Sequence, residues 1–171
     1  FSLHFFGHLG EDSTPFPIEM SRRNKEERPN KNFSATDRPS ELLIADKFRV
    51  GAKIGSGAYG EIRKGFDVHS GKVVAIKFEL DGSDGQLARE YRIYKTLLAN
   101  ASQGKVKGFA EVYYFGQCRD QQVLVMEMLG RNLESVFEFC GRSFSIKSMI
   151  FIALQLLKRF KSIHECGIIY R

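Results

Sequence analysis

Two short segments contain the residue types that could hold a phosphate-bearing ligand. Gly55-Ser56-Gly57-Ala58-Tyr59-Gly60 is rich in glycine, and Val74-Ala75-Ile76-Lys77 is an apolar run that ends on a lysine. A backbone without Cβ atoms can approach phosphate oxygens closely and donate its N–H groups to them. A lysine ammonium nearby would supply positive charge, so the two segments together predict a clamp for a nucleotide.

Glycine-rich loops also occur in two other kinds of nucleotide site, and both fit this sequence poorly. In a dinucleotide-binding fold the loop opens a crossover helix, and an acidic residue follows about 20 residues later. Glu79 lies near that distance, but Gly65 and Gly71 leave no room for a helix before the next apolar run. A Walker-type loop needs lysine directly after its last glycine, where this chain has Glu61. The remaining arrangement is a hairpin in which the loop joins two strands.

Lys77 and Glu90 are the candidate charged pair of this site. A lysine at the end of a strand is usually a surface residue, but Ala75 and Lys77 fall on one face of the predicted strand. If the glycine hairpin covers that face, Lys77 reaches the phosphates and the small Ala75 leaves room for a flat base. Glu90 flanks the apolar stripe of the next predicted helix, so it is either a solvated residue or one that points inward. An inward Glu90 would form an ion pair with Lys77 and hold it in place.

The run Val123-Leu124-Val125-Met126-Glu127-Met128-Leu129-Gly130 is the fourth candidate element. In its simplest interpretation it is a core strand that ends at a glycine. Where the chain leaves the strand, the backbone groups of Glu127 and Leu129 could also hydrogen-bond the edge of an adenine. Met126 would then limit the depth of the pocket.

The order of apolar patterns predicts five strands, with one helix between the third and the fourth, and then further helices. Residues 1–46 hold all four prolines and are predicted to be a flexible extension. Strands are predicted at 48–54, 62–68, 73–80, 112–115 and 122–126. The first helix is predicted from the stripe Leu87, Tyr91, Tyr94 and Leu98, and two more helices at 132–140 and 145–165. In the last helix Ser145 is the predicted cap, Gly167 closes the end, and one side carries Ile146, Met149, Ile150, Ala153, Leu154, Leu157 and Phe160.

Composition and charge limit the kind of protein this is. With 171 residues, of which 43% are hydrophobic, the chain can bury a core. Much of the net charge of +6 lies at residues 22–31, where no aromatic residues are interleaved, which favours a solvated tail over a nucleic-acid or lipid surface. Three cysteines without a C-x-x-C spacing fit a reducing, cytoplasmic location better than a disulfide framework or a metal site. No apolar run approaches the length of a membrane span.

Taken together, these segments resemble those of protein kinases, and more narrowly of the casein kinase I family of serine/threonine kinases. The resemblance runs from about Asp46 to Arg171. It rests, in chain order, on Ile54 to Ile62, Glu90-Tyr91-Arg92-Ile93-Tyr94-Lys95, Val112-Tyr113-Tyr114-Phe115-Gly116, Met126-Glu127-Met128-Leu129-Gly130 and Ile168-Ile169-Tyr170-Arg171. Tyr170, where most kinases have histidine, is similar to the gamma-type branch, whereas Gly130-Arg131-Asn132-Leu133 resembles the related tau-tubulin kinases.

The resemblance implies an α+β protein-kinase fold. Residues 47–130 would form a complete N-terminal lobe and hinge, with a five-stranded antiparallel sheet and one helix, and residues 131–171 the start of a helical C-terminal lobe. It implies a monomer that uses ATP and Mg²⁺ to phosphorylate serine or threonine in proteins, at acidic or already phosphorylated sites. The catalytic aspartate and the metal ligands would lie beyond Arg171, so the 171 residues alone are expected to be inactive and to leave the apolar stripe of the last helix partly uncovered. The alternative is a kinase-like module without catalysis that binds a nucleotide or a partner.

The resemblance also implies roles for residues of this chain. Lys77 would orient the phosphates and Glu90 would hold Lys77, which makes these two the candidate catalytic residues. The backbone of the glycine loop would cover the phosphates, and no residue of this chain is expected to bind a metal. The candidate cofactor-binding residues are Ile54, Gly55, Ser56, Gly57, Ala58, Tyr59, Gly60, Glu61, Ile62, Ala75, Lys77, Met126, Glu127 and Leu129.

Overall fold

The computed structural model describes residues 42–57, 60–80, 85–101 and 108–170, which form one antiparallel sheet and three helices. The strands are β1 (Leu43–Ile44), β2 (Phe48–Gly57), β3 (Gly60–Asp67), β4 (Val73–Glu79), β5 (Val112–Cys118) and β6 (Gln121–Glu127). The helices are α1 (Gln86–Ala101), α2 (Leu133–Phe139) and α3 (Ile146–Glu165). The strands lie in the order β1-β2-β3-β4-β6-β5, and each neighbouring pair is antiparallel. The predicted α+β class, with the helix inserted before β5, is confirmed.

All five predicted strands are present, and β1 is a sixth that the sequence did not indicate. Its two residues pair with Arg49 and Phe48 across a turn in which Ala45 and Asp46 have positive φ angles of 49° and 52°. A strand of two residues is too short to show alternation, and alanine is an unusual residue for a positive φ angle. Residues 42–46 therefore belong to the sheet and its turn. The rest of the predicted flexible extension lies outside the described residues.

Two apolar clusters lie on opposite faces of the sheet, and β4, in the middle of the sheet, contributes side chains to both faces. The first cluster consists of Ile44, Phe48, Val50, Val74, Ile76, Phe78, Val123 and Val125. The second, which involves α1 and the end of α3, consists of Leu87, Tyr94, Leu97, Ala110, Leu124, Met126 and Ile163. Since side chains alternate along a strand, Ala75 and Lys77 point to the side opposite the first cluster. Their predicted common face is confirmed.

Helix α1 packs on the sheet through a stripe that differs slightly from the predicted one. Leu87 and Tyr94 are buried as predicted. The next fully buried residue is Leu97, whereas the predicted Leu98 is only half-buried. Positions 87, 90, 94 and 97 share one face of a helix. Glu90 therefore lies within the packed stripe and not beside it.

Helix α3 begins and ends where predicted but packs through another side. Ser145 accepts a hydrogen bond from the N–H of Ser148 at the first turn, and Gly167, with φ of 72°, follows the last turn. Arg159 and Ile163 are the buried residues of this helix. The predicted apolar stripe is partly uncovered, as expected, with exposures of 50–72% at Ile146, Met149, Ile150, Leu154 and Leu157. The helix thus has two apolar sides, and the described residues cover one of them.

The cysteines and the helices give two further facts about the described part of the chain. Cys118, Cys140 and Cys166 are free thiols. Neither α1 nor α3, the two longest helices there, has enough continuous apolar length to cross a lipid bilayer, and α2 is shorter still.

Asp67, at the end of β3, fixes the turn that leads into β4. Its Oδ1 accepts hydrogen bonds from the backbone N–H groups of His69 and Ser70, and its Oδ2 lies 3.6 Å from Lys47 Nζ in the neighbouring turn. Burial acts to raise the pKa of Asp67. The hydrogen bonds and the charge of Lys47 outweigh that effect and lower the pKa from 3.8 to about 2.

Replacing Asp67 by asparagine should make the stability of the fold less dependent on pH in acid. Because the folded-state pKa of Asp67 is lowered, its stabilising effect is complete above about pH 4 and is lost as the pH falls through about 2. Urea unfolding at several pH values between 2 and 5 measures this dependence. Asp46→Asn, at an exposed aspartate in the neighbouring turn, is the matched control. Equal pH slopes for Asp67→Asn and the unmodified chain would contradict the prediction.

Candidate functional site

The predicted ion pair between Lys77 and Glu90 is present and joins the sheet to α1. Lys77 Nζ on β4 lies 2.5 Å from Glu90 Oε2. The two side chains are 15% and 12% exposed, so water reaches the pair only in part. At such a site the cost of desolvation offsets much of the attraction between the charges. The pair therefore acts chiefly by holding the Lys77 ammonium in one position.

The strand register places other predicted site residues beside this pair. Ile62 of β3, Lys77 of β4 and Leu124 of β6 are direct cross-strand partners. Two residues before Lys77, Ala75 is the partner of Met126. Cross-strand partners point to the same side of a sheet. Ile62, Ala75 and Met126 therefore lie on the same side of the sheet as the ion pair.

The glycine-rich segment forms the end of the β2–β3 hairpin, as predicted. Its register pairs Gly55 with Ile62, Ser56 with Glu61, and Gly57 with Gly60. The predicted residues Ala58 and Tyr59, between Gly57 and Gly60 in sequence, lie outside the described residues. Ile54, just before this segment, is 51% exposed, so a branched apolar side chain faces solvent there.

The glycines of the hairpin differ in what the fold requires of them. A Cβ atom on Gly60 would collide with the backbone carbonyl oxygen of Phe78, so β4 excludes a side chain at this position. On Gly55 a Cβ would make only ordinary contact with Ile62, and on Gly57 it would meet no described atom within 4 Å. Neither has a positive φ angle. Folding of the described residues therefore does not require glycine at Gly55 or Gly57, whereas close approach of a ligand to the backbone would.

The side chain of Glu61 belongs to a charged cluster on the hairpin and not to the Lys77 side of the sheet. Lys53 Nζ lies 2.9 Å from Glu61 Oε2, and Arg63 Nε donates to Glu61 Oε1 at 2.5 Å. The hydrogen bonds from Lys53 and Arg63 lower the pKa of Glu61 below its ordinary value. Since Glu61 and Ile62 alternate along β3, their side chains point to opposite sides. Only the backbone of Glu61 remains as a candidate ligand-binding group.

The end of β6 is held by a reciprocal pair of hydrogen bonds. The N–H of Glu127 donates to the carbonyl oxygen of Glu111 at 2.8 Å, and the N–H of Glu111 donates to Glu127 Oε2 at 3.2 Å. Met126, directly before, is buried beside Ala75. Leu129 packs against the second cluster, and its N–H donates to no group within the described part of the chain. The end of β6 is thus fixed in place by Glu111 and by the second cluster.

Glu79 contributes to the site although sequence reasoning gave it no role there. It lies two residues after Lys77, is 7% exposed, and its Oε1 accepts a hydrogen bond from the N–H of Leu87 at 3.1 Å. A carboxylate at the start of a helix satisfies an N–H group that has no partner within the helix and interacts favourably with the helix dipole. Glu79 thereby ties the first turn of α1, one turn before Glu90, to the strand that carries Lys77. Its only signal in the sequence is a carboxylate between Phe78 and Leu80.

The acidic, histidine and cysteine side chains of the described residues do not gather in one place. No three side chains of histidine, cysteine, aspartate or glutamate among them are grouped so that they could hold an ion. What this site offers to a ligand is backbone N–H groups, the Lys77 ammonium and an apolar surface.

Comparison with known proteins identifies the family. The model of the protein kinase domain family matches residues 48–171. The chain is 45% identical over 130 residues to casein kinase I homolog 2 of Schizosaccharomyces pombe and 36% identical over 139 residues to casein kinase I homolog RAG8 of Kluyveromyces lactis. These alignments cover 75% and 81% of this chain but 28% and 25% of the two relatives, so the chain spans about a quarter of their length. The chain therefore belongs to the protein kinase family, and its resemblance to casein kinase I is confirmed.

Proposed function

We propose that this chain is the ATP-binding part of a serine/threonine kinase of the casein kinase I type. The observation that carries the proposal is the Lys77–Glu90 ion pair, on the side of the sheet that also carries Ala75 and Met126. The adenine would lie against Ala75 and Met126, with its edge hydrogen-bonded to the backbone of Glu127 and Leu129. The phosphates would lie between the glycine hairpin and Lys77.

The residues of this chain would bind and orient ATP, which supplies the phosphoryl group. Lys77 would form charge-assisted hydrogen bonds to phosphate oxygens, and Glu90 would keep its ammonium from turning into solvent. The backbone N–H groups near Gly55 and Gly57 would add donors without steric conflict. The 171 residues are proposed to bind ATP without transferring its phosphate. Transfer of label by this chain from γ-labelled ATP to a protein would contradict that part of the proposal.

The finer properties of the enzyme are part of the same proposal. Protein substrates with acidic or already phosphorylated sequence, a monomeric state and the use of Mg²⁺ follow from the resemblance to casein kinase I. A cytoplasmic location follows from cysteine usage, since Cys118, Cys140 and Cys166 are compatible with a reducing compartment.

ATP should raise the unfolding temperature of the chain in a saturable way. A ligand at ten times its Kd stabilises the folded state by about 1.4 kcal/mol, which corresponds to a shift of roughly 3–6 °C for a domain of this size. Scanning fluorimetry with ATP, adenosine and inorganic triphosphate separates the two ends of the site. Adenosine tests the pocket at Ala75 and Met126, triphosphate tests the hairpin and Lys77, and ATP should exceed either one. If triphosphate alone matched ATP, the response would reflect a general affinity of a basic chain for polyanions, and the proposal would fail.

A further inference from the structure

A cavity of about 340 Å³ opens between α1 and β5. Its walls are Tyr91, Lys95, Leu98 and Ala99 of α1 and residues 112–115 of β5. Ligand pockets in proteins typically range from about 300 to 1,000 Å³, so this one is small. It has room for one large apolar side chain and part of a neighbour, but not for an extended cofactor.

The walls of this cavity favour an aromatic or branched apolar side chain. The ring of Tyr91 stacks on Phe115, with centroids 4.4 Å apart and an interplanar angle of 12°. Leu98 and Val112 add aliphatic surface. An aromatic ring that enters would therefore gain both burial and ring contacts, which together stabilise binding more than any other single side chain could.

The rim of the cavity carries positive charge on its α1 side. Lys95 lines the cavity and is exposed, and so is Arg92, three residues before it on the same helix, whereas the single acidic residue of α1, Glu90, is paired with Lys77. On the β5 side the charges balance, because Lys72 Nζ lies 3.8 Å from a carboxylate oxygen of the neighbouring Glu111. Electrostatic complementarity therefore favours an occupant that presents carboxylates beside its apolar side chain.

We propose that this cavity is the docking site of residues 11–20 of the same chain, with Phe16 as the inserted side chain. The segment Glu11-Asp12-Ser13-Thr14-Pro15-Phe16-Pro17-Ile18-Glu19-Met20 has three carboxylates and no basic residue. The other upstream phenylalanines lack this combination, since residues 1–6 have no carboxylate and Phe33 lies between Lys31 and Arg38. Prolines on both sides of Phe16 restrict its backbone, so docking loses less conformational entropy.

The point where the described chain begins is compatible with docking in the same molecule. Leu42 packs on the first apolar cluster, and so do Tyr113 and Tyr114, which line the cavity. The connecting residues 21–41 can span about 70 Å when extended and roughly 25 Å as a flexible chain. Either distance is ample within one small domain. A short tether also gives an effective concentration in the millimolar range, so a modest intrinsic affinity is sufficient.

Photo-crosslinking in the full chain tests this proposal without reference to ATP. The photoreactive residue p-benzoylphenylalanine is placed at position 16, and at position 33 in the control, and crosslinked peptides are identified by mass spectrometry. From position 16 we expect crosslinks within one molecule to residues 91–99 or 112–115, at least fivefold more frequent than from position 33. Crosslinks between two molecules, crosslinks to other elements, or equal yields from both positions would overturn the proposal.

A charge-reversal variant tests the electrostatic part separately. Arg92→Glu with Lys95→Glu should reduce the crosslink from position 16 at least fivefold, because the rim would then repel the carboxylates. Lys147→Glu with Lys158→Glu, at two exposed lysines of α3, is the matched control and should leave the yield unchanged. All four positions are exposed, so both variants should fold. An undiminished crosslink in the rim variant would overturn the proposal.

Discussion

Replacing Lys77 by methionine should remove most of the affinity for ATP and also destabilise the fold. Charged hydrogen bonds are worth about 1.5–3 kcal/mol each, so loss of the ammonium should weaken ATP binding about 10- to 150-fold. The same change leaves the carboxylate of Glu90, which is 12% exposed, without its cationic partner. Removing one partner of a fully buried pair costs about 3–5 kcal/mol, and the partial exposure here makes the expected cost smaller. Titration of ATP and urea unfolding measure the two effects.

A double variant separates the effect on stability from the effect on binding. The variant Lys77→Met with Glu90→Gln also removes the unpaired carboxylate, so this double variant should be more stable than Lys77→Met alone. It should still bind ATP weakly, because nothing replaces the ammonium. Lys158→Met, at an exposed lysine of α3, controls for loss of a positive charge from a basic chain. The clamp assignment would be wrong if Lys77→Met kept the ATP response of the unmodified chain, or if the double variant were no more stable than the single one.

The charged pair could be proposed from the sequence because two local patterns point to it, although the pattern of α1 also allowed a solvated Glu90. Alternation along β4 places Lys77 on the face of Ala75, and the helical spacing of Leu87 and Tyr94 places Glu90 toward the sheet. Each pattern involves only neighbours in sequence. The start of α3 is similar, since a cap at Ser145 depends only on residues within one turn.

Features that depend on distant parts of the chain could not be predicted in this way. The hydrogen bond from Leu87 to Glu79 crosses a loop, and nothing in the local pattern links them. Likewise, α3 has apolar residues on two sides, and its sequence does not show that the side with Ile163 meets α1 and the sheet. The strand β1 exists only because it pairs with β2. Tertiary contacts decide all three features, and local propensity does not predict them.

Alanine at Gly60 and alanine at Gly57 should have opposite consequences, although both glycines belong to the same hairpin. At Gly60 the new Cβ would strike the carbonyl oxygen of Phe78, so β3 must move away from β4. Overpacking of this kind costs about 1–3 kcal/mol, and a rigid backbone partner places the expected cost at the upper end. At Gly57 the new Cβ meets no described atom within 4 Å, so stability should change by no more than about 0.5 kcal/mol. Urea unfolding of the two variants measures this difference.

The affinity for ATP should show the opposite order. When the two variants are compared at equal folded fraction, Gly57→Ala should lose more affinity for ATP than Gly60→Ala. Gly57→Ala keeps the fold but places a methyl group where phosphate oxygens would approach the backbone, so its affinity for ATP should fall. The unfolding measurement on the same variant is its internal control, because an unchanged stability excludes a damaged hairpin as the cause. Unchanged ATP affinity in Gly57→Ala would show that the phosphates do not approach the hairpin there. A loss of stability in Gly57→Ala as large as that in Gly60→Ala would mean that both glycines serve folding, and the division of roles between them would be wrong.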